Sequence, residues 1–509
     1  MPGRPAINVR SVLSSAAVIF CAVWSLTSLW LPFGWDQGIF ASVGDVILAG
    51  GMPYRDAWDI KGPLAHLWFA AAQFVFGRGQ AGIRVFDLAL LIWAAVVLAR
   101  AGGGLARPSA AVWTAVGLVL CHASLTFFFT AQPDGAVSLL LVLAFTPLLL
   151  ASRPRHTVIA GLVVGLCALV KPIYVVFLIL PLWVAAGAAG EPARRIKRGA
   201  LVVAASALPV VATLAWFVSR GALSDLIDVL FRYNAQDYSG VNQLAVRTRI
   251  SGYVEYFWSG PRAPALPFIV FGAVVAWRRS RSSGGLIIGW LLGALAIVGM
   301  QGKFYRYHWT VIFPPAILLI GIAVDALMGP PTEPARRPTS ATVLGWTAAA
   351  VILAPLTIQP ARDIGHWVRF ATGIDTSSQY YARFRLGEFS AADQMAAATF
   401  IRTRTAATDR VATFGYEATL IYLSGRPNAT RFSYALPLVG WRSSQASRDA
   451  YRREFMDALR VQPAYVVVGP ILVGGTQSIE VFPEFAEYLA RGYVLERSFG
   501  AVDLYHRVR

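Results

Sequence analysis

Residues 157–190 read TVIAGLVVGLCALVKPIYVVFLILPLWVAAGAAG, two apolar runs joined at Lys171-Pro172 with no other charge among them. About 20 consecutive apolar residues cross the roughly 30 Å hydrocarbon core of a bilayer. A soluble core does not use such uniform stretches, because a compact body must keep a largely polar surface. The two runs therefore predict a pair of membrane-embedded segments. A lysine at the break between them is costly unless it is paired or faces water. Lys171 is thus the first candidate for a functional or pairing role.

The same pattern continues on both sides. Apolar runs lie at about 11–31, 85–100, 109–131, 135–151, 157–170, 172–188, 199–218, 264–277, 284–300, 309–328 and 341–358. Short loops between them carry Arg100 and Arg107, then Arg153 and Arg155, then Arg194 to Arg198, then Arg278 to Arg281, and finally Arg336 and Arg337. Short basic loops stay in the cytoplasm. Placing all of them there, with Arg4 and Arg10, predicts eleven spans and an uncleaved first span with no small-residue cleavage site before Pro32. The stretch PLAHLWFAAAQFVFG at 63–77 is apolar but short. A full crossing there would break the alternation downstream, so it is predicted as a helix lying in the outer interface.

This path leaves three sizeable pieces outside: the loops 32–84 and 219–263, and everything after about residue 359. The predicted organisation is a transmembrane domain over 1–384 and an extracytoplasmic α/β domain over 385–509. Short β-rich runs at 410–414, 464–469, 493–498 and 502–506 and amphipathic stretches at 391–404, 446–459 and 482–490 carry the second prediction. Ser390 followed by Asp393 resembles a capping box at the start of the first of those stretches. No Gly-rich phosphate fingerprint follows these strands, which argues against a nucleotide site.

Composition narrows the function. Of the 509 residues 56% are apolar, and the mean hydropathy is +0.55. The formal charge of +18 sits mostly in short loops and the tail. That suits topology and anionic headgroups better than nucleic acid, and no basic, aromatic-interleaved nucleic-acid module is visible. The three cysteines, Cys21, Cys121 and Cys167, all fall inside predicted spans, which argues against a disulfide framework or a Cys-ligated metal.

The unusual polar residues gather on one side of the predicted path. Asp36, in FGWDQG, follows the first span; it either caps the interfacial helix at 37–49 or serves chemistry. The rest of that loop, PYRDAWDIKGP, brings Arg55, Asp56, Asp59 and Lys61. Lys61 is placed either to snorkel or to hold a lipid phosphate at headgroup depth. Asp134, in TAQPDG, opens a span, as a cap or a site acid. Lys303, Arg306 and His308, in QGKFYRYHWTVIFPP, are interfacial anchors or a phosphate site. The middle loop, FRYNAQDY, offers Arg232, Asn234 and Asp237, as a sugar-binding surface or an ordinary amphipathic helix.

Together these features resemble the GT-C glycosyltransferases, especially the bacterial branch similar to protein O-mannosyltransferases and the lipid A aminoarabinose transferase. Asp36 matches the acidic residue of the first outer loop. Asp59, Lys61 and Pro63 match an acidic residue followed by a Lys-Pro-type step, with Ile60 and Gly62 as departures. Asp134 looks like the acid at the outer end of the third and fourth spans, and Lys171 like the intramembrane lysine near the lipid phosphate. The stretch Lys303 to Pro315 and the tail pattern DRVATFGYEATLIYLSGRP also look like this branch. Many relatives carry Asp-Glu where this chain has Asp36-Gln37, which weakens the case for a divalent metal, the one cofactor the resemblance leaves open.

The resemblance implies a multi-pass protein of the bacterial inner membrane with its C-terminal domain outside the cytoplasm. It implies a polyprenyl-phosphate sugar donor and an acceptor hydroxyl on a cell-envelope lipid, glycan or protein. In it Asp36 is the general base. Lys61, Lys171, Arg232, Lys303, Arg306 and His308 attend the donor phosphate, with Asp56, Asp59 and Asp134 as supporting acids. Two other classes compete. A lipid-linked glycan flippase would move substrate without a new glycosidic bond, and transporters often show internal repeats, which this chain lacks. A non-catalytic assembly protein would bind without turnover and ignore Asp36→Asn.

Overall fold

The computed structural model describes residues 9–151, 153–187, 190–238, 246–258, 263–328, 340–439, 444–471 and 479–508. The membrane part opens with α1 (Val9–Thr27). After Pro32 and Gly34 the chain bends by 62° into α2 (Trp35–Leu48). The loop 49–62 leads to α3 (Pro63–Phe76). Then come α4 (Gln80–Leu105), α5 (Pro108–Ala123), α6 (Pro133–Leu150) and α7 (Pro154–Ala168). A break at Leu169–Lys171 is followed by 3-10 turns over Pro172–Leu178, α8 (Ile179–Gly187) and α9 (Pro192–Ser219). Five of these helices begin on proline, whose fixed φ and missing N–H suit a first turn that has no acceptor for that N–H.

The second half runs through α10 (Leu223–Ile227), π-helical turns over Asp228–Tyr238, α11 (Val246–Trp258), α12 (Ala265–Arg279) and α13 (Arg281–Gln301). The 3-10 turns at Arg306–Ile312 continue into α14 (Phe313–Leu327), followed by α15 (Ser340–Leu353) and α16 (Ile358–Ala371).

Among the described residues, six helices are long and apolar enough to cross a bilayer, and the bent pair α1–α2 makes a seventh. The expected runs at 109–131, 157–170, 172–188 and 264–277 fall on helices that are too short to count alone. That is the source of the gap between seven and the expected eleven. With 14 residues, α3 measures about 21 Å, short of a crossing.

The bundle has two chemically distinct ends. At one, Arg107 (Nε, 3.0 Å) and Arg279 (3.2 Å) pair with the buried carboxylate of Asp325, near the end of α14. At the other, His308 opens the same 22-residue stretch Arg306–Leu327. His308 and Asp325 are thus about 26 Å apart along the helix, and the basic loops lie at the end away from His308. Arg336 and Arg337 fall outside the described residues.

The tail begins with α17 (Ser377–Ala382) and a two-strand hairpin, β1 (Arg385–Leu386) and β2 (Phe389–Ser390). Then follow α18 (Ala391–Arg404), β3 (Val411–Phe414), α19 (Ala418–Ser424), α20 (Leu436–Val439) and α21 (Gln445–Ala458). Next come β4 (Tyr465–Val468), α22 (Pro483–Gly492), β5 (Tyr493–Phe499) and β6 (Val502–Arg507). The Ser390 hydroxyl caps α18 by accepting from the Asp393 N–H. The sheet runs β3-β4-β6-β5, with β3 and β4 parallel (Val411 opposite Tyr465) and the other pairs antiparallel. The tail does not hang free. Phe33, Trp58 and Phe69 share one apolar core with Phe414, Phe432 and Phe455 of the tail.

Candidate functional site

The first loop is held between the bundle and the tail. The Trp58 N–H donates to the Arg431 carbonyl (2.8 Å), and Thr419 Oγ1 donates to the Gly34 carbonyl (2.6 Å). A Cβ at Gly38 would lie 2.0 Å from Thr419 Oγ1, so glycine there lets α19 seat on α2. α2 packs against the tail, and Asp36 lies in its first turn. It does not cap the helix. Gly34 is the cap residue, and its N–H is met by Gln37 Oε1 (2.9 Å). The half-buried Asp36 carboxylate instead accepts from Gln132 Nε2 (3.2 Å).

Lys61 and Lys171 meet because of the break after α7. The carbonyls freed there take up the start of α3: Gly62 N–H donates to Val170 O and Leu64 N–H to Leu169 O, both at 3.1 Å. A Cβ at Gly62 would sit 2.2 Å from the Leu169 carbonyl, so only glycine permits this approach. Asp59 fixes the same segment from the other side. Its buried carboxylate accepts from His66 Nε2 (2.8 Å), the Tyr434 hydroxyl (2.8 Å) and the Lys61 N–H (3.3 Å). Burial works to raise the Asp59 pKa, but His66, Lys61 and Tyr434 outweigh it and hold the carboxyl below its usual range.

Lys171 is paired. Its ammonium reaches Asp134 Oδ1 (2.7 Å) and Oδ2 (2.9 Å) and Gln301 Oε1 (2.9 Å), while the Tyr174 hydroxyl donates to Asp134 Oδ1 (2.5 Å). This meets the condition under which a charge is tolerated in such a place.

A cavity of about 260 Å³ lies against these groups, lined by Lys61, Lys171, Gln301, Lys303, Tyr307 and His308. The Lys61 and Lys171 ammoniums lie 5.3 and 5.7 Å from the centroid of one ring, Tyr307. His308 is buried, and its Nδ1 has no hydrogen-bond partner among the described residues. A cavity that collects three lysines and an unsatisfied imidazole nitrogen has the chemistry of an anion site, and its size suits a phosphate group.

Not every candidate is gathered there. Arg232 is exposed and pairs with Asp228 (3.2 Å). Exposed Arg306 lies over the Phe129 ring at 5.8 Å. Asp56 pairs with Arg55 (2.8 Å) and accepts from the Met52 N–H (2.7 Å). None of the three lines the cavity, nor do Asp36, Asp59 and Asp134, whereas Asn234 of the middle loop does; the side chain of Asp237 lies outside the described residues. Conversely, Gln132, Tyr174, Gln301, His66 and Tyr434 were not singled out in the sequence. Gln132 and Gln301 stand beside quoted motifs, as polar residues at the ends of apolar runs. The roles of His66 and Tyr434 appear only once the tail is docked.

The donor set does not suit a divalent metal. Asp36 faces an amide donor, Gln37 Nε2 is turned toward carbonyls, and Asp134 is taken by a lysine. Among the described residues no group of three or more His, Cys, Asp or Glu side chains could hold a metal ion.

Residues 60–299 match the model of Glycosyltransferase family 87. Comparison with curated proteins gives no match. Among solved structures, ArnT from Cupriavidus metallidurans bound to undecaprenyl phosphate is similar, with 14% identity, 99% of both chains covered and a TM-score of 0.63. Its apo state is similar at 14% identity, 99% of both chains and a TM-score of 0.61. The apo oligosaccharyltransferase from Archaeoglobus fulgidus gives 12% identity over 99% of this chain and 75% of that one, with a TM-score of 0.49.

Proposed function

We propose that the chain is a membrane glycosyltransferase of the GT-C superfamily that moves a sugar from a polyprenyl-phosphate donor to a hydroxyl of an acceptor outside the cytoplasm; the match of residues 60–299 to Glycosyltransferase family 87 and the ArnT-like fold support this. The observation that carries this is the cavity shared by Lys61, Lys171, Lys303 and His308, with Asp36 tied through Gln132 to the start of α6, whose Asp134 holds Lys171. The solved ArnT that is similar over its whole length is bound to undecaprenyl phosphate, which supports the same donor class here.

In this proposal the donor phosphate enters the cavity and the polyprenyl tail stays in the bilayer. The acceptor oxygen attacks the anomeric carbon as the carbon–oxygen bond to phosphate breaks, with inversion. The acceptor proton passes to Asp36, acting as general base, and the electron pair of the broken bond stays on the phosphate oxygen. Lys61, Lys303 and the Lys171–Asp134 pair stabilise the charge that grows there. The energy comes from the phosphate ester, so no nucleotide is required at this face. The protein resides in the bacterial inner membrane with the tail outside the cytoplasm.

The test follows label from undecaprenyl-phosphate hexose and pentose donors into the envelope of a strain lacking the chain. Asp36→Asn should lower transfer by about 100-fold or more. Full transfer by this variant would remove Asp36 as the base.

A further inference from the structure

Gln37 follows the proposed base and is completely buried. Its side-chain amide is used from both ends. Oε1 accepts from the Gly34 N–H (2.9 Å), while Nε2 faces three backbone carbonyls of another segment: Phe127 (3.2 Å), Phe128 (3.1 Å) and Thr130 (2.7 Å). That segment leads directly to Gln132, which donates to Asp36, and to Asp134, which holds Lys171. Arg84 of α4 ties the same two segments. It donates to the carbonyls of Leu31 (3.3 Å), Pro32 (2.6 Å) and Phe127 (3.2 Å) and to the Thr130 hydroxyl.

We propose that Gln37 is a positioning residue that fixes Asp36 against Gln132, and that the position requires a neutral amide donor rather than a carboxylate. This rests on the reading of Asp36 as the base. The reason is polarity. Three carbonyl oxygens converge on Nε2, and only a donor satisfies them. An ionised carboxylate would place negative charge against all three and beside Asp36, and would remove the donor that Gln37 supplies, leaving Phe127 to Arg84 and the Thr130 hydroxyl and Phe128 to Gln132. A protonated carboxyl keeps one O–H for the nearest carbonyl and one oxygen for the Gly34 N–H. Gln37→Glu is therefore tolerated protonated and disruptive ionised.

Charged groups near the position come from two elements. They are Asp36 on its own helix, and Arg84 and Asp87 on α4; Asp87 faces Arg84 and accepts from the Ala131 N–H, next to the carbonyls that Gln37 meets. Arg84 shares the Phe127 carbonyl with Gln37. Its charge moves the ionisation of an introduced Glu toward lower pH without changing the direction of the effect.

The experiment uses full-length protein in nanodiscs with labelled undecaprenyl-phosphate hexose and pentose, and measures kcat and donor KM between about pH 5.5 and 8.5. For Gln37→Glu, donor KM should stay at the wild-type value, because neither Gln37 nor the carbonyls it meets line the phosphate cavity. The ratio of its kcat to wild type should fall by about 100-fold at the alkaline end, the scale expected from a misplaced catalytic group. On the same sample it should recover as the pH is lowered. That recovery separates a positioning role from simple misfolding. Gln37→Met, which has no donor at any pH, should lose kcat without recovery. The proposal is overturned if Gln37→Glu follows wild type at every pH, if its activity rises on adding Mg²⁺ or Mn²⁺, or if its loss is pH-independent and shared by KM. Asp36→Asn run alongside keeps the two ideas apart. If it turns over normally, the base assignment fails. If it is inactive while Gln37→Glu is normal, only the Gln37 proposal fails.

Discussion

Lys171 and Lys61 look alike in sequence but differ in what their removal does. Lys171 neutralises the fully buried Asp134, and removing one partner of such a pair leaves an uncompensated charge costing about 3–5 kcal/mol. Lys171→Ala should therefore lower thermal stability as well as activity, as a melting curve in detergent would register. Lys61 faces the cavity and the Tyr307 ring with its ammonium, so Lys61→Ala should raise donor KM by about 10-fold or more with little change in melting temperature. A base must be deprotonated, so transfer should be present above the pKa of Asp36 and lost as the pH falls through it, and a pH–rate profile gives the value. Asp36, Asp59, Lys61, Asp134 and Lys171 were legible in the sequence because charge beside long apolar runs is expensive and so conspicuous. Their partners were less so. Gln132 and Tyr174 are ordinary residues whose role depends on which turn faces which.

Among the elements, the decisive feature is the interrupted helix after α7. It frees the Leu169 and Val170 carbonyls, which take up the start of α3, and Gly62 permits the approach. Gly62→Ala should push α3 from the break, separate Lys61 from Lys171 and weaken undecaprenyl-phosphate binding, read by titration in nanodiscs. The sequence marked the break through Lys171-Pro172 and the tail strands through their β-branched runs, and both appear where expected. Span counting was less secure. Helices of 14–16 residues carry the composition of a span without its length, and composition is what periodicity reads.

Across the whole molecule, the tail buttresses the proposed site, because Tyr434 bonds Asp59, which in turn holds the Lys61 backbone. The sequence assigned the tail its fold but no task, since that contact joins residues 375 positions apart. The buried Glu417, at the start of the helix that seats on α2, has its pKa pushed up by burial to about 7 from 4.5, the Gln394 bond only partly offsetting this. A raised carboxyl pKa means a stabilising term that is full below the unfolded value and lost as pH rises through the folded one. The loss approaches about 3 kcal/mol. The protein should melt lower at pH 8 than at pH 5, and Glu417→Gln should flatten that dependence. The central claim is a division of labour within one site, with cations holding the donor and Asp36 activating the acceptor. It is tested most directly by measuring undecaprenyl-phosphate affinity and sugar transfer on the same nanodisc samples of wild type, Lys61→Ala and Asp36→Asn. The expected result is weakened binding for Lys61→Ala and wild-type binding without transfer for Asp36→Asn. Equal binding by all three, or transfer by Asp36→Asn, would contradict it.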